Sequence, residues 1–395
     1  MMNYLRFRNK TAIKIVIKGW KDMNWADMTK ILRFAVPVIL LLNFSALSSC
    51  AEVTINEKIV SQTADSVTVV DEVGRTVTVN LPIEKIISTD YRQMEVLLAL
   101  GAKDMIVGVD SNFHKQMPYF GLKDAAEAGL HAKEVNYEQV LALHPDLVIV
   151  PTRQGASADE VSEKLQGVPV LALSLSNRDH IIPETEIMGA LLGKEDEAKK
   201  LIEWTKKYDS IVEERTADLK AEDCPTFFYE YMSDLDRKWW AIAPSNPSAG
   251  RAADGCGGVN VASDLSLNET TTTLEVGAEW VLSEDPDYIF MDFMGGDMCG
   301  VGKSMEEVKN NLNGLIEDRA SEGFLNFTAV KNNHVYVLGR DFISGPRWVI
   351  GHVCIAKWLH PDLFEDLDPV EMNREYLKEF QGMELDGTWI YPESE

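Results

Sequence analysis

Five cysteines and seven histidines are spread thinly over 395 residues. They form no CxxC, HxH or HExxH pattern, which excludes a zinc knuckle, a dithiol redox centre and a helical zinc site. Cys224, Cys256, Cys299 and Cys354 lie far apart, so two disulfides and four buried thiols both remain open. No GxSxG elbow, no Walker A sequence and no GxGxxG opening a helix is present, and nothing suggests a nucleophile with its base. Gly255-Cys-Gly-Gly258 precedes a strand rather than following one, the wrong side for a phosphate cradle. Basic residues are scarce: 38 Lys+Arg face 63 Asp+Glu, for a net charge of −25. Nucleic acid is thereby excluded as the main partner, because that affinity rests on cations neutralising phosphates. One apolar run alone approaches membrane length, so the chain is not a polytopic membrane protein. What is there is a 45% hydrophobic composition, enough for a globular core, over a length that suits two or three domains.

The apolar run, residues 31–49, follows Lys30 and ends in Leu47-Ser48-Ser49-Cys50. A basic flank, a short apolar core interrupted by Pro37 and Asn43, and small residues before a cleavage point predict a secretory signal. The four residues ending at Cys50 resemble a lipobox, which makes Cys50 the candidate acylated first residue of the mature chain. Met28 is an alternative start that would give a compact signal. Removing residues 1–49 leaves 30 basic against 61 acidic residues, so the exported part carries −31.

Further on, Val67–Val70 and Thr76–Val79 alternate around Gly74 as a hairpin. Short apolar runs then alternate with helical patterns up to Ser174. From Pro183 to Leu219 the pattern is wholly helical, broken at Gly193, with a 3.6-residue apolar period from Ala198 to Val212. A second alternation runs from Thr226 to Leu359. Strands alternating with helices predict parallel pairing and an α/β fold. The chain divides as signal 1–49, lipidated Cys and tether 50–66, N-terminal lobe 67–182, connecting helix 183–221, C-terminal lobe 222–360 and C-terminal extension 361–395. An internal echo supports two related lobes. Val135-Asn-Tyr-Glu138-Gln-Val-Leu-Ala-Leu-His-Pro145-Asp matches Val276-Gly-Ala-Glu279-Trp-Val-Leu-Ser-Glu-Asp-Pro286-Asp without a gap. Each copy reads as a helix stopped by Pro-Asp and feeding a buried strand.

The hairpin Val69–Val79, Leu97-Leu-Ala-Leu-Gly-Ala102, the twin Glu…Pro-Asp phrases, Ala329-Val-Lys-Asn-Asn-His-Val-Tyr336 and Gly345-Pro-Arg347 carry a resemblance. In order and spacing over residues 67–365 they resemble the substrate-binding proteins of ABC importers for iron–siderophore complexes, haem and vitamin B12. The tail from His360 is similar to an archaeal and anaerobe iron-complex subset. The resemblance implies two lobes, each a mostly parallel sheet flanked by helices, joined by one long rigid helix, with the ligand between them. It also implies no catalysis, a permease and an ATPase as partners, and one acidic residue per lobe docking on the permease. Glu138 and Glu279 match that last role; a carboxylate in a first helical turn is also what the helix dipole favours. Further expectations are a monomeric, lipid-anchored protein outside the cytoplasmic membrane and no intrinsic cofactor.

Ligands of open α/β sheets bind beyond the carboxyl ends of the strands. Residues in those turns are Tyr91, Arg92, His114, Arg153, Arg178, Tyr231, Asp292 and Arg340, with Trp240, Arg251 and Arg347 in elements able to face the same cleft. Six of only eleven arginines after residue 50 fall in this set. Guanidinium forks suit carboxylates and other oxyanions, and aromatic walls suit a wide flat guest. The expected ligand is a chelated metal, an iron–siderophore above haem or a corrinoid. The alternatives are a bare transition-metal ion, for which His114 and Asp292 are candidate ligands, and a tethered sensor without transport. The competing view of each arginine is an ion pair with a nearby acid such as Asp90, Asp179 or Asp341.

Overall fold

The computed structural model describes residues 57–392, except 112, 130–133, 153–156, 233–237, 266–272 and 294–297. The signal segment and Cys50 lie outside the described residues.

Three antiparallel strands open the described chain: β1 (Ile59–Gln62), β2 (Ser66–Val70) and β3 (Thr76–Asn80). Val67, Val69 and Val79 point into the core, the inward half of the alternation. β1 falls inside the stretch expected to be a tether, where two adjacent apolar residues, Ile59 and Val60, show no alternation; its partner β2 holds it by pairing.

Five strands form the first parallel sheet. β4 (Ile86–Ser88) leads to α1 (Tyr91–Ala99), β5 (Ile106–Asp110), α2 (Phe113–Gln116), β6 (Ala126–Gly129), α3 (Tyr137–Ala142), β7 (Leu147–Pro151), α4 (Ala158–Lys164) and β8 (Val170–Leu173). Their order is β6-β5-β4-β7-β8, all parallel. Leu147–Val150 and Val170–Leu173 are buried on both faces, as helix-covered parallel strands must be.

α5 (Arg178–Leu192) begins five residues before the expected Pro183, because Asn177 caps it by accepting from Asp179 N. It ends at Gly193 in the left-handed region (φ 61°). α6 (Glu195–Thr216) is the long connecting helix, 22 residues or about 33 Å. A Cβ on Gly189 would lie 2.6 Å from Ala198 Cβ, so glycine is what lets α5 and α6 pack so closely.

The second lobe contains β9 (Thr226–Tyr231), β10 (Trp239–Ile242), α7 (Ala249–Ala253), β11 (Val259–Asn260), β12 (Thr273–Val276), α8 (Ala278–Glu284), β13 (Tyr288–Phe293), β14 (Gly300–Val301), α9 (Met305–Asp318), α10 (Thr328–Lys331), β15 (Val335–Gly339) and α11 (Trp348–Leu359). The tail adds α12 (Pro369–Phe380), β16 (Gly387–Thr388) and β17 (Ile390–Tyr391). The sheet order is β12-β10-β9-β13-β15-β17, with β11 beside β9. This sheet is mixed: β9, β11, β13 and β15 run parallel, whereas β10, β12 and β17 pair antiparallel. β10 returns from β9 over a short connection, which permits only antiparallel pairing.

The internal echo is structural as well as textual. His144 and Asp285, at matching places after α3 and α8, both take a left-handed backbone (φ 49° and 39°). Asp146 then accepts from Glu84 N and Lys85 N at 2.8 and 2.9 Å, and Asp287 accepts from Thr226 N and Thr226 Oγ1 at 2.8 Å. In each lobe the aspartate ties the start of one central strand to the segment entering its neighbour.

All four described cysteines are free thiols. One continuous core joins both lobes, running from Leu97 and Leu173 through Val212 to Phe290, Trp348 and Phe380. At its centre Arg347, wholly buried, places Nε 2.7 Å from Glu95 Oε1 and Nη2 3.2 Å from Asp341 Oδ2, with Asn373 of α12 at 3.5 Å from Nη1. The two carboxylates hold the guanidinium charged against the cost of burial. Removing one partner of such a pair leaves a buried charge uncompensated. Glu95→Gln is therefore expected to cost about 3–5 kcal/mol in urea unfolding. The double variant Glu95→Gln/Arg347→Met should recover much of that loss; a double variant as unstable as the sum of its singles would show that the two groups are not coupled.

Candidate functional site

The carboxyl ends of β4, β7 and β8 meet the loop before α7 and enclose a cavity of about 120 Å³. Asp90 and Arg92, Pro151 and Thr152, and Leu173–Ser176 form the first-lobe wall, and Asn246–Ser248 the opposite one. Ser248 Oγ donates to the Ser176 carbonyl at 2.8 Å, and Gly345 N donates to the Leu175 carbonyl at 2.9 Å, so the lobes are bonded together beside the cavity. Gly345 itself (φ 69°) packs against Arg92, where an added Cβ would lie 3.1 Å from Arg92 Cγ. Local sequence explains this corner: Asp90 caps α1 by accepting from Arg92 N at 2.9 Å, and the same carboxylate takes Arg92 Nε at 3.0 Å and Nη2 at 2.6 Å. The guanidinium lies 4.7 Å over the ring of Tyr91, itself buried.

Of the candidate residues, Arg92 lines this cavity. Arg340 is buried in the second lobe, Nε 2.8 Å from Asp292 Oδ2 and the guanidinium 4.4 Å over the Tyr231 ring. That brings three candidates, Tyr231, Asp292 and Arg340, into one cluster, with Asp292 neutralising the arginine rather than facing a guest. Arg251 is half-exposed and bonds Asp179 of α5 at 2.7 Å as well as Asp254, bridging the lobes. Arg178 reaches Asp209 and Glu213 of α6 and lies 4.6 Å over Trp348. Arg347 is in the buried junction described above, away from the cavity. Each of these five arginines therefore has a carboxylate partner, the competing view in the sequence. Arg153 lies outside the described residues. His114 is half-buried, its Nε2–H donating to the Ala125 carbonyl at 3.0 Å. Trp240 is half-buried on β10 while Trp239 packs in the second-lobe core, as strand alternation dictates.

Of the polar lining, Thr152, Ser176 and Asn246 fall in the post-strand turns that the sequence marks, whereas sequence reading missed Ser174 and Ser248. Ser176, Asn246 and Ser248 are small residues in turns, and only their convergence gives them meaning. Glu138 and Glu279 are both exposed in the first turns of α3 and α8. Three residues on in each helix, on the same face, Leu141 and Leu282 are also exposed, at 41% and 36%.

Fold and cleft define a class, the two-lobed α/β binding proteins with a helical connection. A family model described as Periplasmic binding protein matches residues 86–342, and the chain belongs to that family. Among curated proteins, it is 25% identical to an uncharacterized ABC transporter substrate-binding lipoprotein, YvrC, of Bacillus subtilis, over 76% of this chain and 87% of that one. It is 24% identical to the petrobactin-binding protein YclQ of the same organism (78% and 90% covered) and 22% identical to the molybdate-binding protein MolA of Haemophilus influenzae (79% and 90%). Among solved structures, a TroA-like periplasmic binding protein FepB from Veillonella parvula superposes with TM-score 0.69 at 20% identity, covering 82% of this chain and 98% of that one. Molybdate-bound MolA gives 0.64 at 21% identity, with 81% and 99% covered. No described helix is long and apolar enough to cross a membrane.

The Asp90–Arg92 pair allows a separable test. Asp90→Asn keeps an oxygen to cap α1 but removes the charge, and should cost about 1–3 kcal/mol in urea unfolding. Asp90→Ala should cost a further ~1 kcal/mol through the lost cap. Equal losses would mean that the cap contributes nothing here.

Proposed function

We propose that this chain is an exported solute-binding protein, anchored by a lipid on Cys50, that presents a chelated metal to the permease and ATPase of an ABC importer. The ligand class is an iron–siderophore, with haem and corrinoids as related guests. The carrying observation is a polar cavity lined by both lobes at the carboxyl ends of the first-lobe strands, where ligands of such sheets bind. Relatives named for petrobactin, cobalamin and iron(3+)-hydroxamate support the ligand class. Arg92 lines the cavity, with Tyr91 beneath its guanidinium; Arg153, Tyr231, Trp240, Arg251, Arg340 and His114 complete the candidate set. The continuous core between the lobes favours small closure motions and preorganised contacts.

The lining of the cavity favours a second reading. Hydroxyls and an amide suit a small oxyanion, and one relative is named for molybdate. Purifying the full chain from cells grown in a native-like medium, then recording its absorption spectrum and elemental content, separates the two. A ferric-chelate, Soret or corrinoid spectrum is expected; a colourless protein carrying molybdenum or tungsten would replace the chelate with an oxyanion. A preparation with neither, unable to bind any of these on addition, would overturn both.

Glu138 and Glu279 are assigned to docking on the permease, each with its exposed leucine beside it. One charged contact per lobe would set the cleft over the translocation path. Charge reversal at both positions is expected to leave ligand affinity intact and abolish uptake; unchanged uptake would remove the assignment.

A further inference from the structure

Away from the cleft, the turn between β2 and β3 lies against α5. Glu72 of that turn, His180 and Glu184 bring three ligand-type atoms within 4.8 Å of one another. His180 and Glu184 are one helical turn apart, at i and i+4, which puts both on one face of α5. Glu184 is wholly buried, both its oxygens accepting from Ser174 N at 2.8 and 2.7 Å. His180 Nδ1 is shut off from solvent and pairs with Glu72 Oε1 at 2.8 Å. Lys58 of the segment before β1 pairs with the other oxygen of Glu72. Burial pushes the Glu184 carboxyl up to about 8.

We propose that Glu72, His180 and Glu184 form a binding site for a divalent first-row transition-metal ion that clamps the N-terminal hairpin to α5. Two carboxylates and one imidazole are a donor set for zinc, cobalt or manganese rather than calcium. Ligand atoms on a sphere of ~2.1 Å radius sit about 3–3.5 Å apart at neighbouring positions, so the side chains need to close by at most about 1–2 Å. The Asn177 amide lies 3.5 Å from His180 Nε2, on the far side of the ring, where an orienting partner belongs. The lysine competes for the same carboxylate and sets the affinity down.

The test uses the purified full chain and Co2+, followed by calorimetry and visible absorption. One saturable site is expected, with nitrogen–oxygen ligand-field bands and no thiolate charge-transfer band, which separates it from binding at cysteine. His180→Gln, a half-exposed position, should weaken binding by about 10–100-fold with an unchanged circular dichroism spectrum. Lys58→Met should tighten it about tenfold. Absence of saturable binding in both the wild type and Lys58→Met, binding untouched by His180→Gln, or binding lost instead in His114→Gln would each overturn the proposal.

Discussion

A single buried cation holds the lobes in register. Arg347 enters from the second lobe just ahead of α11 and finds Glu95 on α1 of the first lobe, Asp341 from its own side and Asn373 on α12. Burying three charges is expensive, and the cost is recovered only while all partners keep their geometry. Gln381, at the end of α12, adds a bond to the Glu95 carbonyl, so the tail also depends on the same corner. Around it the apolar core passes from one lobe to the other without interruption. A protein built this way resists large hinge motion, which is why the cavity between the lobes is better described as preorganised than as a closing jaw.

Much of the architecture was legible because it is periodic. The second alternation begins with β9 at Thr226 and ends with α11 at Leu359, as the sequence indicated, and Gly193 divides the helical stretch where glycine was expected to. The echo was legible as words, and its cause became visible only in space: a left-handed residue, then an aspartate that pins two strands. The mixed second sheet was less legible, since strand direction depends on how a connection folds back. β6 was missed because Ala126–Gly129 carries almost no β-branched or aromatic signal and is held by its neighbour β5.

The arginines mark where sequence reasoning runs out. Turn position says that a guanidinium lies near a strand end, but which carboxylate it meets depends on contacts tens to hundreds of residues away. Arg178 meets Asp209 across α6, Arg340 meets Asp292 from the adjacent strand, and Arg251 meets Asp179 across the lobes. In a chain so rich in acid, each described candidate arginine finds a partner. What is left to face a guest is a ring of hydroxyls and one amide beside a neutralised ion pair, a surface that recognises by hydrogen bonding more than by net charge.

The last strand has a consequence for association between copies. β17 covers one edge of the second sheet by pairing with β15, and β16 pairs with β14, so the C-terminal extension supplies strands to this half of the protein. Without β17 the Val337–Leu338 backbone would present unpaired N–H and C=O groups to any extended peptide nearby, the route by which open sheet edges aggregate.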